Sequence, residues 1–168
     1  MRVLVAAASR HGSTTEIARR IGEVLVEAGI EADVRPPDEV ASIAAYDGVV
    51  LGSGVYAGRW LASARQLVER EAAELSSRPV WLFSSGPVGD PAQPAAEPVD
   101  VDAICKLTNA IDHRVFNGKL DRQQLGFGER AIVLAVHAAE GDFRSWEAVS
   151  EWASGIAATL QATPVPAR

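Results

Sequence analysis

The chain has 168 residues, 48% apolar and 23% charged, with a formal net charge of −6; it is long enough to bury a core without staples, and its acidic balance argues against a nucleic-acid partner. Its one cysteine, Cys105, excludes an internal disulfide, and no cluster of Cys and His has the spacing of a metal site. The apolar residues 1–8 are too short to span a membrane and lack the charged region and cleavage site of a signal peptide, so the expectation is a cytoplasmic protein without an integral membrane segment.

In chain order, "RVLVAAA" at 2–8 is a continuous apolar run, the pattern of a strand buried on both faces of a parallel sheet. Residues 14–28 follow with helical period, placing Ile17, Ile21, Val24, Leu25 and Ala28 on one stripe, and Gly29 stops them. "IEADVRP" at 30–36 is a second strand, closed by Pro36 and Pro37, with a brief helix predicted around 38–44. "YDGVVLGSG" at 46–54 is the third strand. A helix over 58–75 turns Leu61, Ala64, Leu67, Val68 and Leu75 inward and carries Trp60 at its start, packed inward. "RPVWLFSSG" at 78–86 is the fourth strand. The proline- and alanine-rich stretch 87–98 reads as a loop able to act as a lid. A short helix near 101–109 precedes the fifth strand, "DHRVFNGKLD", while 129–138 fits helix or strand equally. The last helix, 144–160, presents Trp146, Val149, Ala153, Ile156 and Leu160 on one side. One domain over 1–161 with a disordered tail at 162–168 is expected. Strands alternating with helices predict an α/β three-layer sandwich around a parallel sheet.

Ligands of such sheets bind beyond the carboxyl ends of the strands, where strand order reverses. Three segments leave strand ends rich in small or hydroxyl residues: 9–15, 53–59 and 84–89. In the first, "SRHGSTTE", a helix start with free N–H groups and a positive dipole end follows Gly12, which lets the backbone turn tightly. Hydroxyls on Ser9, Ser13, Thr14 and Thr15 add donors, so the loop suits a phosphate. The plainer alternative is a capping box, Ser13 with Glu16, which accounts for those two residues but not for Ser9, Thr14 and Thr15. The lysine of a Walker loop is missing, and so is the G-x-G-x-x-G of a dinucleotide loop; a terminal monophosphate fits better. In the second segment Tyr56 is the candidate for stacking on a flat ring, with Arg59 and Trp60 candidates to face a substrate or partner. In the third, glycine-flanked amides suit ring carbonyl and nitrogen atoms. His113 and His137 read as structural or solvated, and Cys105 as a helix residue without a redox role; no catalytic side chain is assigned.

"SRHGSTTEIA" resembles the FMN phosphate loop of flavodoxin-like proteins, roughly [ST]-x-x-G-x-T. Within that superfamily, "SRHGSTTEIARRI", "AGIEADV", "YDGVVLGSGVYAGRW" and "RSWEAVSEWASGIA" are most similar to the branch of menaquinone-dependent protoporphyrinogen IX dehydrogenase. The resemblance implies a flavodoxin-like five-stranded parallel sheet in the order 2-1-3-4-5, helices on both faces, and non-covalent FMN. It carries Ser9, Arg10, His11, Gly12, Ser13 and Thr14 to the phosphate. It carries Ser53, Gly54, Val55, Tyr56, Ala57 and Gly58 to one side of the isoalloxazine, and Ser84, Ser85, Gly86, Pro87, Val88 and Gly89 to another.

The chain departs from that branch in two places. "DRQQLGFGERAIVLAVHAAEGD" is shorter than the branch's basic, aromatic insertion, and "SSGPVGDPAQPAAEP" replaces a basic stretch. Quinone use, membrane association and porphyrin specificity are therefore open. The expected function is an FMN-binding oxidoreductase passing electrons between a donor and a quinone or small organic substrate. The alternatives are a flavodoxin-type electron carrier docking on redox proteins, and a binding domain that has lost flavin. A deazaflavin in place of FMN and a homodimer in place of a monomer also stay open.

Overall fold

The computed structural model describes residues 1–86, 98–135 and 140–162. Strand β1, Arg2–Ala8, is the centre of the sheet: it pairs in parallel with β2, Glu31–Arg35, on one side and with β3, Gly48–Tyr56, on the other. Beyond β3 lie β5, Val80–Ser85, and β6, Asp112–Phe116, both parallel. Counting the parallel strands alone, the order is 2-1-3-4-5, as expected. The chain leaves β1 toward β2 and then returns to β3 on the opposite flank, so strand order reverses between β1 and β3.

The unbroken apolar runs of β1, β3 and β5 exist because both sheet faces are covered. Val3, Val5, Ala7, Val50, Trp81 and Phe83 face helices α1, Ser13–Glu27, and α6, Trp146–Ala162. Leu4, Ala6, Val49, Leu51, Val80 and Leu82 face α2, Ala62–Arg70, α3, Ala72–Ser76, and α4, Val101–Thr108. Each buried Leu, Ile or Val contributes about 1.5–3 kcal/mol relative to its exposed state. Helix α1 buries Ile17, Ile21, Val24 and Leu25 on the predicted stripe and stops at Gly29, whose φ is +80°.

Several elements differ from the sequence reading. The predicted helix 58–75 begins only at Ala62 and breaks at Glu71. Before it, Ala57 and Gly58 both take positive φ, the turn that matches strand twist in tight hairpins, and β4, Arg59–Trp60, folds back antiparallel on β3. Trp60 is buried as expected, but from a strand: its N–H is taken by the Asp100 carboxylate and its Nε1 donates to Ser84 Oγ at 2.8 Å. Around 38–44 only Pro37–Glu39 makes a 3-10 turn. The Arg78 guanidinium donates to the Ile43 and Tyr46 carbonyls at 2.7 Å each, doing the work of helical N–H groups there. "DHRVFNGKLD" is not one strand: β6 ends at Phe116, and Lys119–Leu120 forms β7, antiparallel to β8, Gly141–Asp142. The ambiguous segment is helical over Phe127–Ala135, α5. Trp146 is not on the buried stripe of α6 but 40% exposed at the helix's first position, with the Arg144 guanidinium 4.5 Å from its ring centroid. His137 and most of the 87–98 stretch lie outside the described residues.

Candidate functional site

The register of the sheet brings the three predicted segments to one edge. Ala8 pairs with Ser53, Gly54 with Ser85, and Ser85 with Phe116, so the chain leaves β1, β3, β5 and β6 at nearly the same level. There a cavity of about 490 Å³ opens at the point of strand-order reversal.

Its first wall is the β1–α1 loop. Gly12 caps α1 with φ +84°, a left-handed conformation that glycine adopts without penalty, and the Glu16 N–H donates to its carbonyl. The capping box does not form: the helix starts one residue earlier than that reading requires, and Glu16 turns outward to Arg144 at 2.6 Å. Ser13 Oγ is left shielded from solvent without a partner, the one such side-chain oxygen among the described residues. Thr14 is buried beside it, and a Cβ at Gly54 would sit 3.2 Å from Thr14 Oγ1 and from the Tyr56 ring. Glycine at 54 therefore lets the first and second loops touch.

Ser9, Arg10, His11, Ser13 and Thr14 line the cavity, as do Gly54, Val55, Tyr56, Ala57, Ser85 and Gly86. Gly12 and Gly58 shape the turns behind it. Ser53 and Ser84 are fully buried in their strands. Ser53 Oγ accepts from the Leu61 N–H at 2.9 Å and donates to the Gly54 carbonyl; Ser84 Oγ joins Trp60 Nε1 to His113 Nε2. These two hydroxyls are spent on the scaffold. Arg59 is exposed on the hairpin, and Trp60 faces the core rather than an incoming partner. Pro87, Val88 and Gly89 lie outside the described residues.

A further wall was not anticipated from the sequence: residues 118–121, Gln124 and Leu125, with Glu129 and Val133 of α5. It meets the third loop where two glycines touch, since a Cβ at Gly118 would stand 3.2 Å from Gly86 Cα. The Glu129 carboxylate fastens it to the first loop. Oε1 accepts from Arg10 Nη1 at 2.8 Å and faces His11 Nε2 at 3.2 Å, while Oε2 accepts the Gly126 N–H at the start of α5. The Arg10 guanidinium first, then the Gly126 amide and His11, hold the Glu129 carboxyl down at about 2. Arg10 also lies over the Tyr56 ring, 4.4 Å from its centroid. Burial pushes the Tyr56 phenol above its usual range. A planar ligand stacking on Tyr56 must use the face away from Arg10 or displace it.

The arrangement is a helix start with an unpaired hydroxyl at one end and a mostly apolar slot between loops at the other, a combination whose chemistry suits a phosphorylated planar molecule. Among the described residues no group of His, Cys, Asp and Glu is placed to hold a metal ion, and no helix is long and apolar enough to cross a membrane.

A family model described as a flavodoxin domain matches residues 4–145. Protoporphyrinogen IX dehydrogenase [quinone] of Escherichia coli strain K12 is 31% identical over 86 residues, which cover 50% of this chain and 48% of that protein. The chain thus spans about half the length of the curated relatives it matches. Among solved structures, a flavodoxin from the domain Archaea superposes with a TM-score of 0.68 at 12% identity, covering 96% of this chain and 99% of that one. Rubredoxin oxygen:oxidoreductase of Desulfovibrio gigas gives 0.67 at 14% identity, over 96% of this chain and 36% of that one. At these identities the structural likeness establishes the fold.

Proposed function

From its membership of the flavodoxin domain family, we propose that this chain binds FMN non-covalently in the cavity and transfers electrons between a donor and a quinone or small organic substrate. The observation that carries the reading is Ser13 Oγ: a hydroxyl shielded from solvent and without a partner, at the first turn of a helix that lines the cavity. A buried donor left unpaired costs about 1–3 kcal/mol, a cost that a bound phosphate removes.

When bound, FMN would supply the redox chemistry. The chain's residues bind and orient it. Ser9, Ser13, Thr14 and the first amides of α1 hold the phosphate, with Arg10 and His11 beside it in the same loop. Gly54 through Ala57 with Ser85 and Gly86 flank the ring system, and Tyr56 with Val55 excludes water from it. Residues 118–125 and α5 cover the remaining side. No side chain is required as a nucleophile. The domain is taken as residues 1–161.

The alternative, an electron carrier docking on redox proteins, is favoured by one observation, the net charge of −6. A one-electron-reduced form that persists through a reductive titration supports the carrier; direct two-electron reduction with turnover of a soluble quinone supports the enzyme.

The test is the absorption spectrum of the purified protein, with the chromophore released and identified, paired with Ser13→Ala. Flavin bands and released FMN are expected. Ser13→Ala should bind FMN about tenfold or more weakly while the ligand-free protein melts no lower than the wild type. A colourless protein that takes up no added FMN sinks the proposal, and release of a deazaflavin redirects it.

A further inference from the structure

We infer that Arg144 is the positioning residue of the phosphate-binding turn: its buried guanidinium holds the Ser13 carbonyl and draws the Glu16 carboxylate away, so that the first turn of α1 is presented free to a phosphate. The inference rests on the FMN reading above.

Arg144 sits between β8 and α6, far in sequence from α1, yet its side chain is only 3% exposed. Its Nη1 donates to Glu16 Oε2 at 2.6 Å and to the Ser13 carbonyl at 3.3 Å. On its other side Asp142 takes Nε at 2.8 Å and Nη2 at 2.6 Å, one carboxylate oxygen for each. The guanidinium carbon lies 4.5 Å from the centroid of the Trp146 ring. A planar fork held this way has one orientation, which a lysine ammonium cannot reproduce.

This has two consequences for an anion. The Ser13–Glu16 spacing would by itself close a capping box, with the carboxylate reaching back over the helix start. With Glu16 engaged outward, its carboxylate does not reach back over the helix start, and Ser13 Oγ keeps no protein partner because the Glu16 N–H already donates to the Gly12 carbonyl. The Glu16 charge is also compensated; left alone in the first turn, it would repel a phosphate of like sign. Arg144 is not needed to dock α6 on α1, because Ile17, Ile21 and Val24 already pack with Val149, Ala153 and Ile156 in a shared core.

The experiment is a titration of FMN and of riboflavin, the same ring without the phosphate, into wild type, Arg144→Gln and Arg144→Lys. FMN affinity is expected to fall about tenfold or more in Arg144→Gln, with riboflavin affinity unchanged. Arg144→Lys should fall between, and Glu16→Gln added to Arg144→Gln should recover part of the loss. If both ligands weaken equally, or FMN is unaffected, Arg144 is a brace and the inference is wrong. Arg144→Lys carries the same ratio should the Gln variant not fold. A wild type that binds neither flavin removes the FMN reading by itself. Inorganic phosphate then decides: a shift of the Ser13 and Thr14 amide resonances in wild type that is lost in Arg144→Gln sustains the role, and equal or absent shifts in both overturn it.

Discussion

On one side of the cavity, Ser9–Thr14, Gly54–Ala57 and Ser85–Gly86 grow directly out of strands buried on both faces; on the other, residues 118–125 and α5 lie over the site through a handful of polar links. The first side is continuous with the core. Even its spare hydroxyls, Ser53 and Ser84, are tied to Leu61, Trp60 and His113. The second side shows an outer surface of apolar residues, with Phe127 95% exposed, and depends on Glu129 to reach the first loop. In the proposed reading, binding strength would come from the side that cannot move without unfolding the sheet, and access from the side whose opening breaks only a few half-solvated contacts.

The largest expected effect comes from emptying the rigid side of its donors. Ser13→Ala with Thr14→Ala removes two hydrogen bonds to a charged group, together about 3–6 kcal/mol, so FMN affinity should drop between about a hundredfold and ten-thousandfold. Far-ultraviolet circular dichroism should stay unchanged; an affinity equal to wild type would take the phosphate away from this loop.

Trp60→Phe tests whether that side is part of the core. It deletes the Nε1 bond to Ser84 and leaves a gap at a fully enclosed position, at a cost of about 2–3 kcal/mol, which lowers the urea midpoint. A midpoint shift near zero would mean that the hairpin is not coupled to the sheet.

The second side is probed by Glu129→Gln. Breaking the link to Arg10 and His11 is expected to speed flavin release about fivefold and leave the melting temperature nearly unchanged, since exposed ion pairs contribute little to stability. The same link should respond to acid. Arg10, the Gly126 amide and His11 depress the Glu129 carboxyl from its ordinary 4.5 to about 2. Its contribution is complete above pH 4.5 and is lost as the pH falls toward 2, because only the folded state holds the carboxylate ionised in that window. Flavin release from wild type should therefore accelerate across that interval more than release from Glu129→Gln; parallel profiles would dismiss the clasp. Smallest of all, Phe127→Ser should change stability by less than about 0.5 kcal/mol. A larger loss in thermal melts would show that the outer face of α5 is supported in a way the two-sided contrast omits.

How much of this was legible beforehand follows the same division. The place of the β1–α1 loop at the cavity could be read because strand, glycine, hydroxyls and helix are adjacent in sequence and each has a local signature. Tyr56 and the Ser85–Gly86 end were legible because parallel strands of similar burial end at a common edge. The second side had no such signature. Gly118, Lys119 and Asp121 read as the tail of a strand, and Glu129 finds Arg10 across 119 positions. The same holds for Arg144, whose partner Glu16 looked like half of a capping box.

The sequence alone determined the alternation of strands and helices, the two-faced burial of the sheet, its strand order through the resemblance, and the glycine and hydroxyl residues at the start of α1, because apolar periodicity and helix-end chemistry act over a few residues. Only the tertiary structure decided that Ser84 serves Trp60 rather than a ligand, that Ser13 stays unpaired, and that Glu129 and Arg144 bind the first loop. Hydrogen bonds and ion pairs go to whichever partner packing brings within about 3 Å, and that choice is made by the whole chain at once.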